Sequence, residues 1–121
     1  MQREGEPAMI RISALYPNEA GSRFDADYYC NRHEPFAVGL LKPFGLVETR
    51  STIGVANIDG TPPAFWAISE MIFESRDRFD AAMTDCGERL FADIVNYTTV
   101  APVLQISRLA SDPDHPAGAR A

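Results

Sequence analysis

Positive charge, cysteine and long apolar runs are all scarce in this sequence. Eleven Lys and Arg residues face 17 Asp and Glu, giving a formal charge of −6, and Lys42 is the sole lysine. Without a basic patch to release counterions from a phosphate backbone, no nucleic acid partner is expected. An anionic membrane surface is disfavoured on the same ground. Two cysteines, Cys30 and Cys86, cannot make a disulfide framework, and their spacing is not that of a metal site. They read as reduced, packed thiols of a cytoplasmic protein. The opening MQREGEPA lacks the apolar core of a signal peptide, and no run approaches a membrane span. Also missing are the glycine fingerprints of dinucleotide and phosphate-binding loops and the Gly-x-Ser-x-Gly elbow, so no cofactor is expected. Histidine is equally sparse. His115 lies in a polar tail, which leaves His33 with scattered carboxylates, no His-x-x-x-His pair and no metal expected.

What is present is the material of one folded domain. The 121 residues are 45% hydrophobic and 10% aromatic, enough for a single modest core. Residues 1–8 and 110–121 are polar, hold Gly and Pro and lack an apolar period, so they read as flexible ends around a domain at 9–109. Within it, MIRISALYP alternates as a strand does and stops at Pro17. Ser22 is placed to cap a helix beginning near Arg23, and Pro35 predicts a break or kink in it. LVETRSTIGV is a second strand, Asp59-Gly60 marks a hairpin turn, and AFWAISEMIF is a third strand. Ser75 caps an amphipathic helix that Gly87 is expected to interrupt, with RLFADIVNY as a further helical piece. PVLQISRL closes the domain as a fourth strand. The order β-α-β-β-α-β predicts a ferredoxin-like α+β fold with a four-stranded antiparallel sheet.

The third strand is apolar on both faces. Phe65, Ala67, Met71 and Phe73 lie on one side, and Trp66, Ile68 and Ile72 on the other. Two helices cover one face of such a sheet, so the second face needs a cover. A second copy of the chain is the simplest one, giving a homodimer; loops folded over a central strand are the alternative.

The stretch FDADYYCNRHEP gathers the groups with chemistry. An imidazole takes and gives protons near neutral pH, and Tyr29 and Asp25, one and two turns before His33, are placed to orient it or to touch the same ligand. The plainer reading is a histidine closing the last turn before Pro35, where it favours the helix C-terminus. Cys30, three residues before His33, reads as buried packing rather than as a nucleophile. Phe24, Tyr28, Phe36 and Phe65 are candidates to line an apolar cavity for a flat hydrophobic ligand, the alternative being ordinary core.

Phe24-x-x-x-Tyr28-Tyr29-x-x-x-His33-x-Pro35 resembles the signature of the EthD family, named for ethyl tert-butyl ether degradation. The likeness continues in Phe44-Gly45-Leu46, in Phe79-x-Ala81-Ala82 and in ADIVNYT, Ala92 to Thr98. It covers residues 9–109. The resemblance implies a dimeric α+β barrel, with His33 as the site residue. Tyr29 stands where the family often has tryptophan, so its hydroxyl alters ligand contacts. The expected function is binding of a hydrophobic aromatic or cyclic metabolite between sheet and helices. His33 would transfer a proton there, in isomerase, decarboxylase or cofactor-free oxidoreductase chemistry of a catabolic or secondary-metabolite pathway. The alternative is an accessory protein that holds the same ligand without turning it over.

Overall fold

A computed structural model describes residues 8–110; the expected flexible ends, and His115 with them, lie outside the described residues but for Ala8 and Ala110. The strand β1 (Ile10–Pro17) alternates strictly, with Ile10, Ile12, Ala14 and Tyr16 buried and their neighbours half-buried. It pairs antiparallel with β3 (Phe65–Phe73) on one side and β4 (Val103–Arg108) on the other, and β2 (Leu46–Ile53) completes the sheet beyond β3. The order β2-β3-β1-β4 is that of the ferredoxin-like α+β fold. Register places Ala14 opposite Ser69 and Leu104, and Ser51 opposite Ser69. Direct partners share a face, so these side chains all look towards the helices.

The first helical stretch starts later than Ser22. Asp25 is the cap: its carboxylate accepts from the Tyr28 N–H at 3.0 Å and opens α1 (Ala26–Tyr28). Ser22 is drawn elsewhere, donating to the Glu19 carbonyl and accepting from the Trp66 indole. At Pro35 the expected break or kink takes the form of a local irregularity that does not end the helix. The chain passes through one π-helical turn, Tyr29–His33, closed by the Glu34 N–H on the Tyr29 carbonyl, and continues as α2 (Glu34–Leu41). Pro35 thereby falls in the first turn of α2, where its missing N–H costs little. A 3-10 turn at Lys42–Phe44 ends at Gly45, whose φ of +89° turns the chain into β2.

Ser75 caps α3 (Arg76–Ala92) as its position predicts, accepting from the Arg78 N–H at 3.2 Å. Gly87 does not interrupt it. The helix runs on through this buried glycine, beside which only the Met83 side chain lies close, and then tightens into a 3-10 turn at Asp93–Asn96. One core cluster, around Leu41, Phe73 and Cys86, joins α2 and α3 to the sheet. A second, around Tyr16, Tyr29 and Tyr97, is largely aromatic. Cys86 is buried as expected, whereas Cys30 is exposed on the outer side of the π turn.

A clamp of hydrogen bonds ties the start of the first helical stretch to the segment after α3. Phe24 bridges Thr98, the Asp25 N–H donates to the Tyr97 carbonyl at 2.7 Å, and the Thr98 hydroxyl donates to the Arg23 carbonyl at 2.7 Å. The sheet face away from the helices is more mixed than the strand pattern predicts. Ile68 and Ile72 are half-buried there, beside the ion pairs Arg11–Glu70 and Arg50–Glu48. Trp66 stacks on Phe24 at a ring separation of 6.3 Å.

Candidate functional site

Tyr29 and His33 are one turn apart on the π segment, both buried, with rings 5.6 Å apart and nearly parallel. The partner of His33 comes from the far end of the chain. At the junction of α3 and its 3-10 turn, Asp93 places Oδ2 2.8 Å from His33 Nδ1. Asp93 Oδ1 accepts from the Tyr28 hydroxyl at 2.8 Å and from the Asn96 amide at 2.9 Å. Burial alone would push this carboxyl up; the bonds from Asn96, His33 and Tyr28 outweigh it and hold the pKa below the usual carboxylate range. An ionised Asp93 can only accept, so Nδ1 carries the proton of this bond, which fixes the ring orientation. Nε2 has no hydrogen-bond partner among the described residues.

The imidazole lines a cavity of about 300 Å³ between sheet and helices, the size of a small-molecule site. Ile12, Ala14 and Met71 form its floor, and Met83, Leu90 and Ile94 part of its roof. Its exposed lining residues, Phe91, Leu104, Gln105 and Ile106, mark the open side at β4. Besides His33, the lining holds the polar side chains of Tyr16, Tyr29, Glu34, Thr49, Ser69 and Gln105. Tyr97 lies 4.6 Å from the His33 ring centroid, and its hydroxyl shares a 2.6 Å bond with that of Tyr16. Burial drives both phenols far above their ordinary range. Nearer β2, the Tyr29 hydroxyl is 3.2 Å from Ser51 Oγ, Ser51 donates to the Glu34 carboxylate, and Ser69 Oγ is 3.2 Å from Ser51. Burial raises the Tyr29 pKa as well, with the serine hydroxyls pulling the other way. Among the described residues no three His, Cys, Asp or Glu side chains cluster as metal ligands would.

Of the residues singled out in the sequence, the structure brings only His33 and Tyr29 to the cavity. Asp25 is spent on the helix cap and does not orient the imidazole; Asp93 stands in that place. Tyr28 acts from behind, by holding Asp93. Phe24 is packed among the rings of Tyr16, Tyr29 and Tyr97. Phe36 misses the cavity because Ala37 and Val38, one turn beyond His33 and Glu34, occupy the inward stripe; it is 39% exposed. Phe65 sits at the sheet end opposite Pro17, away from the lining. Asp93, Glu34 and Ser51 were not among the expected site residues. For Asp93 the signal was the ADIVNYT stretch, which holds the carboxylate, Asn96 and Tyr97 together.

No protein-family model matches the chain. In sequence it is 24% identical over 92 residues to an uncharacterized 11.0 kDa protein of the thcB-thcC intergenic region of Rhodococcus erythropolis, across 75% of this chain and 85% of that one. In structure it resembles an EthD family protein of Bacillus halodurans, with a TM-score of 0.64 at 24% identity, covering 84% of this chain and 98% of that one. That likeness shows the fold. An EthD-like protein of Ralstonia eutropha matches with a TM-score of 0.80 at 39% identity, over 90% of this chain and 99% of that one. With that identity along nearly the whole length of both proteins, the chain belongs to the EthD family.

Proposed function

We propose that the chain binds a hydrophobic small molecule in the cavity and that His33, held by Asp93, is the general base that acts on it. The observation that carries this reading is the pairing of His33 Nδ1 with the half-buried Asp93 carboxylate, while Nε2 has no partner among the described residues, on a ring facing a largely apolar cavity. Such a base takes a proton from a carbon acid beside a carbonyl, or from a phenol. The proton goes to Nε2, the electron pair stays on the ligand as an enolate or phenolate, and Asp93 stabilises the imidazolium that forms. Return of the proton to another carbon completes an isomerisation. The family takes its name from ethyl tert-butyl ether degradation, and a catabolic setting fits an apolar cavity. A second copy of the chain belongs to the same proposal, covering the apolar side chains that β4 exposes at the cavity mouth.

The test begins with the compound that copurifies with the protein, identified by mass spectrometry after denaturation. With it bound, the unmodified protein should exchange the ligand's acidic C–H with deuterated water, followed by NMR. His33→Ala should slow exchange and turnover roughly 10²- to 10⁴-fold with little change in melting temperature. Exchange that survives the substitution at full rate would end the case for His33. Tight binding with no exchange in either protein would instead identify a carrier of the ligand.

A further inference from the structure

The cavity holds a second polar locus that the imidazole does not explain. Glu34 follows His33 directly, and consecutive side chains on a regular helix lie about 100° apart. At the junction of the π turn with α2, both nevertheless line the same cavity. Across from Glu34, Ser69 lines the largely apolar floor, and its cross-strand partner Ser51 lies 3.2 Å from it. Ser51 donates to one Glu34 oxygen. Ser51 Oγ is also 3.2 Å from the Tyr29 hydroxyl and 3.2 Å from Ser69 Oγ, so it joins the three groups in one hydroxyl network. The second carboxylate oxygen has no hydrogen-bond partner among the described residues, and no Arg, Lys or His there is ion-paired with Glu34. Its charge reaches neighbouring groups, adding to burial in raising the Tyr29 and Tyr16 pKa values.

We propose that Glu34, positioned by Ser51, is a specificity residue: it selects ligands that present a neutral hydroxyl donor, such as a phenol, an enol or a hydroxyketone, and rejects ligands that carry a carboxylate. The proposal rests on the reading of the cavity as a ligand site. A hydroxyl on the ligand gives its proton to the open oxygen in a charge-assisted bond. A ligand carboxylate beside Glu34 meets a like charge in a largely apolar setting, which penalises two anions. Proton shifts on hydroxyl-bearing ketones and phenols fit such a site, and decarboxylation of a bound acid does not.

The test uses β-naphthol and β-naphthoate, which share a ring system and differ in the charge of one substituent. Both are titrated calorimetrically into the full chain at neutral pH. The unmodified protein should bind naphthol at least about tenfold more tightly, and Glu34→Gln should bring the two within about threefold by gaining affinity for naphthoate. Ser51→Ala keeps the charge and removes its anchor, so it should weaken naphthol while still rejecting naphthoate. It decides together with the unmodified protein if Glu34→Gln does not fold. Equal affinity of the unmodified protein for both probes, or a ratio that Glu34→Gln leaves unchanged, overturns the role of Glu34 and spares the cavity reading. Failure of the unmodified protein to bind either probe overturns both.

Discussion

Asp93 accepts three hydrogen bonds, and the one from His33 decides which imidazole nitrogen faces the ligand. Its lowered pKa also makes it a stabilising group with a definite pH window. The folded value lies below the unfolded one of about 3.9, so the contribution is full above about pH 4 and is lost as pH falls through the folded value. Asp93→Asn should therefore lower the melting temperature at neutral pH and flatten its fall between about pH 5 and pH 2. An asparagine amide facing Nδ1 would also push the ring proton to Nε2, so proton exchange on the ligand should drop by about 10²-fold or more. A melting curve that falls as steeply in acid as that of the unmodified protein would remove Asp93 from the account. His33 and Tyr29 were legible in the sequence because four-residue spacing on one helix is a local signal. Asp93 was not, since 60 residues separate it from His33 and no periodicity reaches that far. Asp25 looked attractive for the opposite reason: it is close in sequence, but a carboxylate at a helix start is claimed first by the backbone N–H groups. Cys30 was misread because a thiol's preference for burial says nothing of which side of a helix faces the solvent.

Between elements, the turn at Gly45 sets how α2 and its 3-10 extension hand over to β2. A Cβ there would adopt a left-handed conformation and lie 2.8 Å from Glu74 Oε1 and 2.9 Å from Arg78 Nε. Those side-chain ends are flexible and can yield, so the backbone dominates, and Gly45→Ala should cost about 1–2 kcal/mol. Urea denaturation reads this as a lower midpoint at unchanged slope; an unchanged midpoint would show that the turn relaxes freely. Element order and strand positions were readable because period-2 alternation and turn residues are strong local signals, as Ile10 to Tyr16 and Asp59-Gly60 illustrate. Breaks inside helices were not. Pro35 was accommodated by one extra residue in the turn before it, and Gly87 lies buried within a helix that runs on through it. The sequence marks only the residue at risk.

At the scale of the molecule, β4 is a six-residue edge strand that exposes Val103 at 55%, Leu104 at 50% and Ile106 at 40%. An edge of that kind is a template for pairing unless something covers it, and a second copy answers the need. Sedimentation at micromolar concentration should show a dimer burying on the order of 2,000 Å², and Val103→Asp should dissociate it. A stable monomer of the unmodified chain would sink this expectation. The expected patch of Trp66, Ile68 and Ile72 is the weaker candidate for the contact, since Trp66 is occupied with Phe24 and Ser22 and ion pairs flank the isoleucines. The bridge between Phe24 and Thr98 also orders events in time. As the chain leaves the ribosome, Tyr28, Tyr29 and His33 emerge long before Asp93 and Tyr97, and nothing local can hold them in place. Their site closes only when segments some 75 residues apart meet, the slow class of contact in folding. A chain released before Asp93 would therefore carry the histidine but not its geometry, with an unpaired aromatic cluster left open to other unfinished chains.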